Sequence, residues 1–280
     1  QMATFFGEVL SVYSRAVEED EDDLSENEED EQIRRELEEK SRVVHLHWNP
    51  EVSECLKSGD KLQCSDFILA VGHNAARFLS VHALASSHWD VVGHSLLWNE
   101  RNDSTTAKTA VESACVFHRQ KDNPSVWICQ VTCYIAEDQL FQWIEKVFDC
   151  LQHREMNVTV LSDSSVAEYK AADYLRCSSA PFLRSLHSSA FRGQSVCPSL
   201  EQPNIITGLP AAVLNHCEVH RISAVVYQCY SDVVGADSVT METYKPVLTR
   251  LGKSIQLDPS PSTDVLRKFT RTNIQSNLYI

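Results

Sequence analysis

His216, Cys217 and His220 carry side chains that ligate zinc, and the i, i+4 spacing of the two imidazoles places them on one side of a helix. A tetrahedral site needs further donors, and no glutamate in an HExxH frame stands nearby, so the group reads as structural. His45 and His47 share one face of a strand by the two-residue repeat and read the same way. Ser162-Asp163-Ser164 follows a strand and sets hydroxyls beside a carboxylate, the raw material of a nucleophile. No GxSxG elbow surrounds it, so the triplet is expected to act as a helix N-cap. Val71-Gly72-His73-Asn74-Ala75 leaves a strand and enters a helix, a place where backbone N–H groups hold phosphates. One glycine falls short of a Gly-rich fingerprint, and with 8 glycines the chain is poor in phosphate-loop freedom. A nucleoside- or peptide-directed α/β enzyme using the Gly72 to Asn74 turn is one alternative, and it requires a polar pocket converging on His73. These groups lead to the expectation of no catalytic residue, no cofactor and no metal.

Leu278, Tyr279 and Ile280 offer binding chemistry instead. An aliphatic side chain and a tyrosine ring bury apolar surface, the phenol keeps one hydrogen bond, and the carboxylate of Ile280 can pair with a lysine of a pocket on another protein. Burying Leu278 and Tyr279 contributes about 1.5 to 3 kcal/mol each, and the charged pair about 1.5 to 3 more. Ordering each flexible residue of the tether costs about 1 to 2 kcal/mol. The tail is therefore expected to bind weakly alone and to need a second contact from the folded body, which raises its effective concentration.

The elements that position these residues follow from composition and periodicity. The 280 residues are 43% hydrophobic, enough for one sizeable core, and no apolar run reaches the ~20 residues that span a bilayer, so membrane insertion is not expected. Charge is concentrated at one place: Glu18 to Lys40 carries -11 of the net -14, leaving -3 for residues 41–280. A run such as Glu18-Glu19-Asp20-Glu21-Asp22-Asp23 repels itself and buries almost nothing, so a disordered acidic arm is expected. No basic stripe with interleaved aromatics occurs, which disfavours nucleic acid as a partner. Ten cysteines without a CxxC pair suit a reducing compartment and act mostly as small core residues. The sequon at Asn157 falls inside an expected strand.

Strands are expected near 43–48, 66–71, 91–98, 110–118, 125–134, 156–161 and 222–230, and helices over 74–85, 136–151, 211–220 and 238–251, the last interrupted at Pro246. Alternation of strand and helix around the apolar run Phe67-Ile68-Leu69-Ala70-Val71 predicts a three-layer α/β domain: a mixed, partly parallel central sheet with helices on both faces. The strands between 91 and 134 read as antiparallel hairpins, and Cys177 to Gln202 as an exposed loop. The organisation is then 1–41, the N-terminal segment with the arm; 42–257, the α/β domain; and 258–280, a short helix capped by Ser262 or Thr263, a polar spacer and the flexible tail.

Five stretches bear a specific resemblance: Asn123-Pro124-Ser125-Val126-Trp127-Ile128-Cys129-Gln130 running on through Cys133 to Gln139 and Gln142-Trp143; Leu200 to Ile205; Leu209 to Leu214; Met2 to Val9; and Ile274 to Ile280. Together they resemble the proteasome assembly chaperone 1 family over nearly the whole length. The resemblance implies a non-enzymatic chaperone that pairs with a second, related assembly chaperone and sits on the α-subunit ring during 20S proteasome assembly. It implies that Leu278, Tyr279 and Ile280 form the hydrophobic-Tyr-X motif inserted between adjacent α-subunits, and a cytoplasmic location with a nuclear or endoplasmic-reticulum-associated pool. A generic adaptor displaying the acidic arm is the remaining alternative, distinguished by greater harm from deleting residues 18–40 than from deleting the tail.

Overall fold

Asp66–Val71 (β2) shows how the sequence dictates the architecture: Phe67 and Leu69 enter one core, Ile68 and Ala70 the other, so both faces of the strand must be covered. The computed structural model describes residues 43–97, 115–170, 180–232, 235 and 237–266. Within them β1 (His45–Trp48), β2, β3 (Trp89–Leu96), β4 (Cys115–Gln120), β5 (Val126–Val131), β6 (Asn157–Ser165), β7 (Phe182–His187) and β8 (Ser223–Ser231) form one sheet in the order β1-β3-β4-β5-β2-β6-β8-β7. The central pairs β5–β2, β2–β6 and β6–β8 are parallel. The flanking pairs β1–β3, β3–β4, β4–β5 and β7–β8 are antiparallel. The mixed sheet expected from the sequence is the one observed.

One face is covered by α1 (Pro50–Lys57), α3 (Glu137–Cys150) and α4 (Gly208–Val219), through Val52, Trp143, Ile144, Val147, Phe148, Val213 and Cys217. The other carries α2 (His73–Leu79, continued by a π turn at Ser80–Leu84), α5 (Ser238–Glu242) and α6 (Leu248–Leu251), through Phe78, Leu79, Met241, Tyr244 and Leu251. The helix expected over 238–251 is two short helices joined by a 3-10 turn at Lys245–Val247, because Pro246 lacks the N–H that an unbroken helix needs. Asp237 starts α5 by accepting from Thr240 N at 2.9 Å.

Three readings need correction. The stretch expected as an exposed loop contains β7, whose Leu183 and Ser185 are buried against the sheet. α1 has no counterpart in the expected helices, although Asn49 accepts from Val52 N at 2.9 Å and Pro50 occupies the first turn. α4 begins at Gly208 rather than Ala211, since Pro210 falls in the first turn, where its missing N–H costs nothing. Residues 263–266 are helical, with Ser262 Oγ accepting from Val265 N at 3.4 Å. The acidic arm, residues 110–114 of the fourth expected strand and the tail Leu278, Tyr279 and Ile280 lie outside the described residues.

Candidate functional site

The Gly72 turn, where a bound phosphate was conceivable, is filled by the chain itself. Gly72 has φ +104°, and a Cβ added there would overlap the Asp163 carboxylate. Asp163 on β6 accepts from Asn74 N at 2.7 Å, from Ala75 N at 3.2 Å and from the Tyr244 hydroxyl at 2.7 Å. An internal anion thus occupies the positive end of α2. Burial pushes the Asp163 carboxyl above its ordinary range, opposed by the hydroxyl of Tyr244 and the N–H groups of Asn74 and Ala75. Asn74, itself buried, donates to Gly235 O at 2.9 Å and accepts from Asp237 N at 2.7 Å. The turn is a tie between β6, α2 and α5, and the expected local N-cap role of Ser162-Asp163-Ser164 becomes a cap on a helix distant in sequence. Ser165 caps the adjoining 3-10 turn Val166–Glu168.

His216 and His220 do come together on α4, with ring centroids 4.2 Å apart, and His153 stands 6.0 and 6.1 Å from them. Their chemistry is packing. His216 lies 4.5 Å from the Phe148 ring, His153 pairs through Nε2 with Phe148 O at 2.7 Å, and Cys217 turns into the core. Burial, with His220 and His153 adding to it and Asp149 opposing, drives His216 down to about 4. Burial alone pushes the Cys217 thiol up to about 12. Among the described residues no group of three histidine, cysteine or acidic side chains is arranged to hold a metal ion. His45 and His47 are exposed on β1, and His47 stacks on His94 at 5.1 Å.

Two concavities among the described residues carry exposed apolar side chains on their borders. The carboxyl ends of β2, β5, β6 and β8 open into a crevice of about 340 Å³, flanked by Cys133, Tyr134 and Leu209. Beside β7 and α4 lies a broader groove of about 660 Å³ bordered by Leu186, Ile205, Ile206, Ala211 and Leu214. Tyr134, Phe141, Ile205 and Val219 are about 70% exposed, Tyr134 at the crevice and Ile205 at the groove. The sequence reading did not single out these exposed side chains. Their one available signal was Ile205-Ile206 in an otherwise polar run.

The family model described as proteasome assembly chaperone 4 matches residues 2–280. A Danio rerio protein named proteasome assembly chaperone 1 is 53% identical over 286 residues, covering 99% of this chain and 100% of its own length. A Xenopus laevis protein of the same name is 49% identical over 289 residues, with complete coverage of both chains. The chain belongs to the proteasome assembly chaperone 1 family. Two solved structures share its fold at 11% identity. Pyrococcus furiosus PbaB, an archaeal proteasome activator, has a TM-score of 0.52 and covers 82% of this chain and 96% of its own. Pyrococcus furiosus PbaA, an archaeal homolog of proteasome-assembly chaperone, has a TM-score of 0.53 and covers 81% and 87%. The chaperone family match spans the body and extends through Leu278, Tyr279 and Ile280.

Proposed function

We propose that this chain is a non-enzymatic chaperone of 20S proteasome assembly that acts as a heterodimer with a second, related assembly chaperone on the α-subunit ring. The tail Leu278-Tyr279-Ile280 enters a pocket between α-subunits, its carboxylate meeting a lysine. The observation that carries this reading is the full-length family match, residues 2–280, with a relative 53% identical from end to end. The filled turn at Gly72 supports it, since the alternative enzyme loses its phosphate position to Asp163. The exposed Tyr134, Phe141 and Ile205 give the body apolar surface for protein partners, the second contact that a weak tail needs. The proposed location is cytoplasmic, with a nuclear or endoplasmic-reticulum-associated pool.

Deleting Leu278 to Ile280, changing Tyr279→Ala, or adding one residue after Ile280 should each reduce copurification of α-subunits without loss of the chaperone heterodimer. The loss should be partial, because one anchor of a multivalent contact is removed. Equal recovery from all variants at matched heterodimer levels would remove the tail from the mechanism. A larger loss on deleting residues 18–40 would favour the acidic-arm adaptor instead.

A further inference from the structure

Cys115 opens β4 and pairs across the ladder with Val131, the last residue of β5. Cys133 lies two residues beyond Val131, outside the ladder, and packs against the same core cluster as Cys115 and Val131. The two sulfurs stand 3.8 Å apart as free thiols. Their surroundings differ: Cys115 is fully buried, whereas Cys133 is half-buried and borders the crevice at the strand ends. We propose that Cys115 and Cys133 are a modification site, a dithiol that a hydroperoxide entering from the crevice converts reversibly to a disulfide.

The roles follow from access and hydrogen bonding. Either thiol can donate across the contact, and the bond to Cys115 holds the Cys133 thiol below its ordinary range against the opposing effect of burial. The same bond, followed by burial, raises Cys115 well above its ordinary range. Cys133 is the attacking sulfur and Cys115 the resolving one. In the first step the Cys133 thiolate attacks a peroxide oxygen; the O–O bond breaks, the alcohol or water leaves after taking up a proton, and Cys133 becomes a sulfenic acid. In the second, the Cys115 sulfur attacks the Cys133 sulfur, the S–O bond breaks, and the departing hydroxide takes the Cys115 proton as water. Two thiols and one hydroperoxide yield one disulfide, one alcohol or water and one water: the sulfurs lose two electrons and the peroxide gains them.

Closing the 3.8 Å contact to a bond of about 2.05 Å requires roughly 1.8 Å of movement. The irregular residues 132–136 between β5 and α3 provide it, since Cys133 sits at a bend there rather than in the ladder. The bond ties the start of β4 to the segment that presents Tyr134, which is 70% exposed on the crevice rim.

The test is peptide mapping of the full chain after hydrogen peroxide, with free thiols blocked before digestion. Arg119 and Lys121 let trypsin separate the two cysteines, and fragmentation distinguishes Cys133 from Cys129 on the same peptide. The expected result is a Cys115–Cys133 cross-link, lighter by two hydrogens and abolished by dithiothreitol. Before oxidation, Cys133 should react with iodoacetamide about tenfold faster than Cys150, whose thiol burial raises. In Cys115→Ser the sulfenic acid on Cys133 should persist and be trapped by dimedone, whereas the wild-type chain should yield little adduct. An uncross-linked wild-type map, or equal dimedone labelling of Cys133 in both chains, overturns the proposal. The wild-type map decides the question even where the variant folds poorly.

Discussion

Asp163 supplies at the start of α2 the negative charge that an external ligand supplies in phosphate-binding α/β proteins. Gly72→Ala forces a side chain into that carboxylate and a left-handed backbone on alanine, and should destabilise the fold by about 1 to 3 kcal/mol or more, measured as a lowered urea midpoint. A second residue gives a pH signature. His216 is held down at about 4 against its ordinary 6.5, so folding favours the neutral ring. Its contribution is intact above 6.5 and is lost as pH falls from 6.5 toward 4. His216→Phe keeps a ring against Phe148 and should flatten the acid-side fall in melting temperature relative to the wild type; identical pH profiles would contradict it. Legibility at this scale depends on distance along the chain. The proposal for the tail rests on three adjacent residue types that carry the whole pattern, whereas the bond from Asn74 to Asp163 spans 89 positions and no local motif announces it.

α3 shows how far periodicity carries an element. Trp143, Ile144, Val147 and Phe148 fall at helical spacing and are buried, together with the polar Gln139. Trp143→Ala should cost about 3 to 5 kcal/mol, while Phe141→Ala on the same helix, 69% exposed, should stay within about 0.5 kcal/mol; comparable urea midpoints for the two would contradict the packing described. β2 was legible to the residue because burial on both faces leaves an uninterrupted apolar run. β7 was not, because it is an edge strand six residues long whose Arg184, Ser185 and His187 dilute the pattern, and its place is set by pairing with β8. α1 was missed for a different reason: it buries one residue, Val52, and its cap at Asn49-Pro50 is the stronger signal.

At the scale of the molecule, a mixed sheet between two helical layers leaves large apolar side chains, among them Tyr134, Phe141, Ile205 and Val219, exposed, while most of the net negative charge lies in one N-terminal run. The layers were readable from strand-helix alternation. The exposed surface was not, since it depends on which sides the loops leave uncovered. Such a body suits a chain that works by holding other proteins, and the proposed function makes one demand above the rest. Isolating the tagged full-length chain from cells and identifying what accompanies it by mass spectrometry tests that demand directly. The account predicts proteasome α-subunits together with a second assembly chaperone, in near-equal amounts with the tagged chain, and without mature catalytic β-subunits. Recovery of neither, or of α- and mature β-subunits in the ratio of the finished particle, would contradict it.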